Sequence, residues 1–202
     1  MATINIEDLK ELNSLWRKMY PYLVAQIIDG YRRHSGTMLE LGPFSGGISL
    51  ELARLYPGFD ITIADESAEV VDYLRQGIKA AGPLRAITVA KTSLNHLTFS
   101  DSQFDLVVFR GAFFFLSAND RLLGEVFRVL KAGGFAFIGG GYGRGVPQQL
   151  IDEIAPRSKV LNDRLGRRWV SLQEMEAIVS RAQLDDNCQI SQEGGVWLNI
   201  RK

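Results

Sequence analysis

From residue 37 onward, short apolar runs alternate with segments whose apolar residues recur at helical spacing. The run Leu106 to Phe109 has the continuous apolar character of a strand that is buried on both faces. Between the runs, positions such as Ile48, Leu52 and Leu55 mark one face of a helix. This alternation predicts a parallel sheet covered by helices on both faces, with five strands at 37–41, 60–64, 85–90, 105–109 and 135–138.

Capping signals and turn signals place further elements. Ser67 predicts the start of one helix, and the capping-box pair Ser171 and Glu174 predicts the start of another. A helix from about residue 122 carries Arg128 and Lys131 near its end, and we expect Gly133-Gly134 to stop it. Two last strands at 188–191 and 196–200 flank Gly194-Gly195 and predict an antiparallel hairpin, which makes seven strands.

Composition narrows the function classes. A chain of 202 residues that is 46% hydrophobic fits one domain, and its 23 basic and 23 acidic residues create no broad cationic field, so nucleic acid is not an expected partner. Cys188 is the one cysteine, and neither of the two histidines, His34 and His96, has ligand spacing, so we expect no metal. With no secretory signal and no apolar run of about 20 residues, a membrane is not expected and the cytoplasm is the predicted compartment.

The strongest local signal is the glycine-rich segment from Leu39 to Gly47, at a junction of strand and helix. Such a turn brings backbone amides close to a ligand. A dinucleotide-binding pattern needs glycine at positions 42, 44 and 47, and an S-adenosylmethionine-binding pattern needs it at 42, 44 and 46. Because residue 44 is Phe, each pattern is matched at two of its three positions. Glu40, two residues before the first glycine, favours the second pattern.

An acidic pair, Asp65-Glu66, follows the second predicted strand, where a carboxylate would accept hydrogen bonds from ribose hydroxyls. The alternative is an acid that only favours the start of the next helix.

At this point the chain resembles the class I S-adenosylmethionine-dependent methyltransferases. The resemblance covers about residues 35–139 and rests on four segments in order, namely Leu39-Glu40-Leu41-Gly42, Asp65, residues 99–107 and residues 128–134. It implies one Rossmann-like α/β domain, with an N-terminal helical lid at 1–34 and a core at 35–202. A nicotinamide-dependent oxidoreductase ranks last, because its second nucleotide-binding half would not fit in the remaining chain.

The resemblance also implies a role for each matching position. The turn Gly42, Pro43, Phe44, Ser45 and Gly46 would hold the methionine part of the cofactor, supported by Glu40, and Asp65 with Glu66 would meet the ribose. Ser93-Leu94 would meet the adenine, and Arg110-Gly111 would border both cofactor and substrate. Phe44 departs from the family's middle glycine, and Ser93 stands where aspartate is common, so an ordinary loop hydroxyl is the alternative for Ser93.

Aromatic and basic residues near these positions are candidates for the substrate pocket. They are Tyr20, Tyr22, Phe114, Tyr142 and Arg144. Packing is the alternative for the aromatic residues, and a plain surface loop is the alternative for the glycine-rich stretch 139–145. His96 has no partner that the sequence identifies.

The predicted function is methyl transfer to a small-molecule acceptor by in-line alignment, with S-adenosylmethionine as donor and S-adenosylhomocysteine as product. The alternative is a cofactor-binding regulatory or assembly protein that transfers nothing. The sequence identifies neither the acceptor nor a catalytic side chain, and it leaves homodimer formation open.

Overall fold

The computed structural model describes residues 4–82, 87–116, 121–168 and 170–202. One seven-stranded sheet runs through the protein in the order β3-β2-β1-β4-β5-β7-β6. Its strands are β1 Ser35–Leu41, β2 Gly58–Asp65, β3 Ile87–Lys91, β4 Phe104–Arg110, β5 Leu130–Gly141, β6 Cys188–Ser191 and β7 Gly195–Arg201. The first five strands are parallel, and β7 pairs antiparallel with both β5 and β6. The predicted sheet and its terminal hairpin are confirmed.

Among the described residues, seven α-helices accompany the sheet. They are α1 Ile6–Leu15, α2 Tyr20–Tyr31, α3 Gly47–Leu55, α4 Ala68–Ala80, α5 Leu122–Val129, α6 Gln148–Arg164 and α7 Leu172–Arg181. The Ser67 hydroxyl accepts from the Val70 amide at the start of α4, and Ser171 and Glu174 form the predicted capping box at α7. Each of these helices within the described residues is too short or too polar to cross a lipid bilayer.

The core has two halves, one on each face of the sheet. Because side chains alternate along a strand, Leu106 and Val108 of β4 pack into one half while Val107 and Phe109 pack into the other. The first half is closed by α1, α2, α3, α4 and α6, and Leu23 and Ile27 of α2 are fully buried in it. Helix α2 is therefore a layer of the core. Helix α1 packs there too, through Leu9 and Leu12, but its Asn13 also donates to the Pro43 carbonyl, and we propose that the covering role predicted for residues 1–34 belongs to α1.

Two of the four motif segments tie the sheet to its connecting loops. The Arg128 guanidinium donates to the carbonyls of Leu97 and Phe99 and pairs with the carboxylates of Asp101 and Glu125. At the amino end of the sheet, the Lys131 ammonium donates to the Asp105 carboxylate at 2.8 Å. These contacts give both segments a structural role.

Two expectations need correction, and a third lies outside the described residues. Helix α5 ends at Val129, so Gly133-Gly134 does not stop it; Leu130 is already extended and pairs with Phe104, which places both glycines inside β5. Leu55, expected on the buried face of α3, is 46% exposed because it lies in the last turn. Arg85, expected at the start of β3, lies outside the described residues.

Candidate functional site

The glycine turn connects the end of β1 to the start of α3. All five of its residues, 42–46, are buried. Gly42 has a φ of +90°, and a Cβ built on it would lie 2.5 Å from Cε2 of Phe109, so both its conformation and its surroundings require glycine. The Gly42 amide donates to the Ala64 carbonyl at 2.9 Å, which holds the turn beside the end of β2. The turn thus lies at the carboxyl edge of the sheet, next to β4, where the strand order reverses.

Glu40 fixes the shape of this turn. Its Oε2 accepts hydrogen bonds from the amides of Gly46 and Ser49, at 3.0 and 3.1 Å, and from the Ser49 hydroxyl at 2.5 Å. Burial raises the pKa of Glu40, and the bonds from Ser49 and Gly46 oppose that rise. Among the described residues, its Oε1 and the hydroxyl of Ser45 are buried without a hydrogen-bond partner. The turn therefore offers one unused acceptor and one unused hydroxyl.

Asp65 is the last residue of β2 and is almost fully buried. Its Oδ1 accepts from the Ser67 amide at 2.8 Å, which is the helix-start role that was its alternative. Burial raises the pKa of Asp65 to about 6, and the negative charge of Glu66 adds to the rise. Burial disfavours the charged form of this carboxylate, and ionisable groups with shifted pKa values are concentrated at functional sites. Asp65 is therefore a candidate ligand-binding group.

Ser93 and Leu94 are oriented differently from each other. The exposed Ser93 hydroxyl accepts from the Asn95 amide at 3.2 Å, whereas Leu94 is buried in the second half of the core. The Ser93 contact is that of an ordinary loop hydroxyl. Nearby, Nδ1 of His96 lies 3.6 Å from Oε2 of Glu125, a neighbour that the sequence did not identify.

Arg110, at the end of β4, joins the turn to the N-terminal helices. Its Nη2 donates to the Phe44 carbonyl at 2.8 Å and to Oδ1 of Asn13 at 3.1 Å. The amide of Asn13 in turn donates to the Pro43 carbonyl at 3.3 Å. Gly111 follows with a φ of +73°, and a Cβ on it would lie 2.4 Å from Cδ2 of Phe44. Through these hydrogen bonds, helix α1 and Arg110 pack over the glycine turn. The Phe44 ring packs on Gly111.

A cavity of about 680 Å³ opens beside Arg110 and Gly111. Glycines of β5, the β7 turn and the start of β7 line its sheet side, and residues of α6 form the opposite wall. Trp16 lies against it, stacked on Tyr142 with ring centroids 5.2 Å apart. The Trp16 indole nitrogen donates to the Ser158 hydroxyl at 3.0 Å, which ties α6 to the N-terminal segment.

The five residues predicted for the substrate pocket separate in the structure. Phe114 and Tyr142 line this cavity. Tyr20 lines a second cavity of about 650 Å³ between α1, α3 and α4, and its hydroxyl donates to the Asn13 carbonyl. Tyr22 lines neither cavity, and the Arg144 guanidinium pairs with Asp29 and Glu193 at the surface.

Sequence reasoning missed two parts of the cavity. Helix α6 was not predicted, although it supplies a whole wall. Trp16 was not among the residues predicted for the pocket. Its spacing of four residues from Tyr20 shows only that both could share a helix face, and nothing local links it to Tyr142.

Comparisons with known proteins find similarity to methyltransferases. A model described as a methyltransferase domain matches residues 38–134. A malonyl-[acyl-carrier protein] O-methyltransferase from Geobacter sulfurreducens is 35% identical over 101 residues, which are 50% of this chain and 37% of that protein. This chain therefore spans well under half the length of that curated relative.

Solved structures extend the likeness to the whole fold. A candidate S-adenosylmethionine-dependent methyltransferase from Methanococcus maripaludis superposes with a TM-score of 0.82 at 24% identity, over 100% of this chain and 95% of that one. The structure of PigF with SAH superposes with a TM-score of 0.69 at 16% identity, over 98% of this chain and 60% of that one. At these identities the likeness establishes the fold.

Proposed function

We propose that this chain is a class I S-adenosylmethionine-dependent methyltransferase that transfers a methyl group to a small molecule held in the cavity beside Arg110. One observation supports this most strongly. Phe44, Arg110 and Gly111 belong both to the surroundings of the glycine turn and to the wall of that cavity. A cofactor at the turn and an acceptor in the cavity would thus be neighbours. S-adenosylmethionine, when bound, supplies a methyl group already activated on a sulfonium, and leaves as S-adenosylhomocysteine.

The residues at the turn fit the chemistry of this cofactor. Its methionine part has an ammonium, which needs acceptors, and a carboxylate, which needs donors. Oε1 of Glu40 would accept from the ammonium, and the Ser45 hydroxyl would donate to the carboxylate; both are buried and lack a partner among the described residues. Asp65 would accept from the ribose hydroxyls. The Gly46 backbone and Pro43 complete the proposed turn site, and Glu66, Ser93 and Leu94 stay proposals for the ribose and adenine ends.

The protein's main task is then to align two reactants and exclude water. Holding reactants in line can contribute roughly 7–11 kcal/mol of barrier lowering. Helix α1 covers the turn through Asn13, and Arg110-Gly111, at the end of β4, borders both the turn and the cavity. Methyl transfer by alignment of this kind needs no covalent intermediate.

Side chains that could do more than align are few. No described residue lining the cavity is a cysteine or a histidine. Burial raises the pKa of the Cys188 thiol to about 11, so this thiol stays protonated at neutral pH. Burial also raises the pKa of Tyr142, which makes its phenolate scarce. If an acceptor needs a general base, Asp152 is the carboxylate among the described lining residues.

Calorimetry and a turnover assay together test the proposal. We expect S-adenosylhomocysteine to bind the intact chain, and a panel of small acceptors to include one that converts S-adenosylmethionine to S-adenosylhomocysteine. The matched variants are Asp65→Asn and, as control, Asp72→Asn on the exposed face of α4, where Asp72 pairs only with Arg75 among its described contacts. Binding without any turnover would favour a non-transferring regulatory role. A failure of both cofactor and product to bind would refute the proposal.

A further inference from the structure

The cavity beside Arg110 has two buried neutral polar side chains on its α6 wall. Ser158 and Asn162 lie one helical turn apart, and only 2% and 7% of them, respectively, are exposed. A polar side chain buried to this extent is costly unless its donors and acceptors find partners. The hydrogen-bonding capacity of each residue can therefore be compared with the bonds that it makes.

The Ser158 hydroxyl accepts two hydrogen bonds. The Trp16 indole nitrogen donates to it at 3.0 Å, and the carboxamide nitrogen of Asn162 donates to it at 3.2 Å. Both lone pairs of the hydroxyl oxygen are thereby used, so its hydrogen must point elsewhere. The described residues provide no acceptor for this hydrogen. Ser158 thus keeps one unused donor.

The Asn162 carboxamide keeps the complementary group. Because its nitrogen donates to Ser158, its Oδ1 remains as an acceptor, and no donor of the described part of the chain bonds to it. Unlike Oε1 of Glu40 and the hydroxyl of Ser45, this oxygen is not sealed inside the protein. Since both α6 residues line the cavity, a donor and an acceptor lie side by side at its wall.

Two charged side chains of the cavity already have partners. The Arg110 guanidinium lies over the rings of Trp16 and Phe44, 4.8 and 5.6 Å from their centroids, and it donates to the Phe44 carbonyl. Lys159 pairs with Asp163 at 2.5 Å. The buried groups of the α6 wall that are left for a bound molecule are therefore neutral.

The opposite wall of the cavity is flat because it is bare backbone. Its sheet side is lined by Gly140, Gly141, Gly194 and Gly195. A Cβ on Gly140 would lie 2.8 Å from Cε2 of Phe113, so this position has no room for a side chain. The stacked rings of Trp16 and Tyr142 also line the cavity, whose volume is about 680 Å³. These walls suit a flat molecule of one or two rings.

We propose that the methyl acceptor is a flat, uncharged ring with a lactam edge, in which a ring N–H stands beside a C=O. The C=O would accept from the Ser158 hydroxyl, and the N–H would donate to Oδ1 of Asn162. A carboxylate has no hydrogen to donate to that oxygen, whereas a lactam matches both groups at once. The edge would serve recognition, and the methylated atom would be another atom of the molecule. This proposal rests on the proposed function, since it names the substrate class of the same site.

Isomeric probes test the lactam edge directly. For 2-pyridone and for 2-quinolone, the 1-methyl isomer lacks the ring N–H, whereas the 4-methyl isomer has the same atoms and keeps it. Calorimetry on the intact chain, with and without S-adenosylhomocysteine, compares the two isomers of each ring. We expect the 4-methyl isomer of at least one ring to bind about fivefold or more tightly, because it makes one further hydrogen bond. Equal affinity in both pairs, or no binding of any of these lactams at millimolar concentration, overturns the proposal.

Two variants assign the preference to α6. Asn162→Leu should abolish the preference for the 4-methyl isomer and leave the affinity for the 1-methyl isomer unchanged, because Ser158 still accepts from Trp16. Ser158→Ala should weaken the binding of both isomers about fivefold and leave their ratio unchanged, since both isomers keep the carbonyl. The matched control is Ser180→Ala on α7, where the hydroxyl donates to Asp185 and does not line the cavity.

Thermal melts establish that each variant is folded, and the ratio of the two isomers is always measured within one protein. A preference that survives in folded Asn162→Leu contradicts the assignment, and so does equal weakening by Ser180→Ala. The comparison of isomers on the unmodified chain needs no variant, so it decides the proposal even if Ser158→Ala does not fold.

The two proposals fail in different ways. Binding of S-adenosylhomocysteine without any preference between isomers keeps the proposed transfer and refutes this substrate class. A preference for the 4-methyl isomer without binding of either cofactor form refutes the transfer and keeps only a lactam-binding site.

Discussion

The Asp65→Asn variant distinguishes two roles of Asp65, ligand binding by its carboxylate and support of the start of α4. The asparagine keeps an Oδ1 that can accept from the Ser67 amide, so the start of α4 is preserved while the charge is lost. Burial raises the pKa of Asp65 in the folded protein to about 6, from an ordinary value of 3.8. The protonated carboxyl therefore favours the folded state, and this contribution is fully present below about pH 4 and is lost as the pH rises through about 6. Above that pH, the variant should be at least as stable as the wild type.

Cofactor affinity should change in the opposite direction. Ribose hydroxyls donate to the carboxylate and favour its charged form, so a proton on Asp65 competes with binding. With a pKa of about 6, wild-type affinity for S-adenosylhomocysteine should be about tenfold weaker near pH 5 than near pH 8, which corresponds to about 1.4 kcal/mol. At the higher pH, loss of the charged acceptor in Asp65→Asn should cost on the order of 1.5–3 kcal/mol of binding free energy.

Calorimetric titrations between about pH 5 and pH 8, paired with thermal melts of the free protein, measure both effects. Titration of the ligand's own amine is common to wild type and variant, so their difference isolates Asp65. Glu66→Gln provides a directional control, because removing that negative charge should lower the pKa of Asp65, so that the affinity of this variant begins to fall at a lower pH than that of the wild type. If Asp65→Asn leaves the affinity and its pH dependence unchanged, Asp65 serves only the helix start and the ribose role is refuted.

Three further substitutions test the turn, the covering helix and the chemistry. Gly42→Val should abolish binding of S-adenosylhomocysteine, because its Cβ would lie 2.5 Å from the Phe109 ring at a φ of +90°; measurable binding by a folded variant would contradict this. Asn13→Ala should speed dissociation of S-adenosylhomocysteine in stopped-flow measurements, since it removes the bonds that hold α1 over the turn, and an unchanged rate would argue against a covering role. Cys188→Ser should keep most of the turnover number with any accepted substrate, because this thiol stays protonated and lies outside the cavity; loss of turnover with folding and cofactor affinity intact would point to covalent chemistry.

The sheet could be predicted because its strands carry strong local signals. Four consecutive apolar residues in β4 require a strand buried on both faces, and the structure buries 106 and 108 on one side and 107 and 109 on the other. Caps such as Ser171 act within one helical turn, so sequence alone shows them. The position of Asp65 beside the glycine turn followed from parallel strands ending at one edge.

Helix α6 could not be predicted in the same way. It is polar along most of its length, it contains Pro156, and it buries only a few residues, among them Ile154 and Leu161. A proline inside a helical segment normally argues against that helix, and here packing against α1 and Trp16 overrides the local preference. The site wall that it forms was therefore invisible before the fold was known.

The environment of Arg110 is also a product of tertiary structure. Its sequence neighbours show only a cation at the end of an apolar strand. The acceptors that hold it, Asn13 and Phe44, are 97 and 66 residues away along the chain. Its burial, its unused Nε and the aromatic walls around it appear only when β1, β4 and α1 come together.

Direct binding of S-adenosylhomocysteine to the unmodified chain tests the central claim. Calorimetry should show one saturable site per chain with a dissociation constant well below millimolar, displaced by S-adenosylmethionine and unaffected by NADH. The account would be contradicted if neither S-adenosylhomocysteine nor S-adenosylmethionine bound at millimolar concentration while NADH did bind.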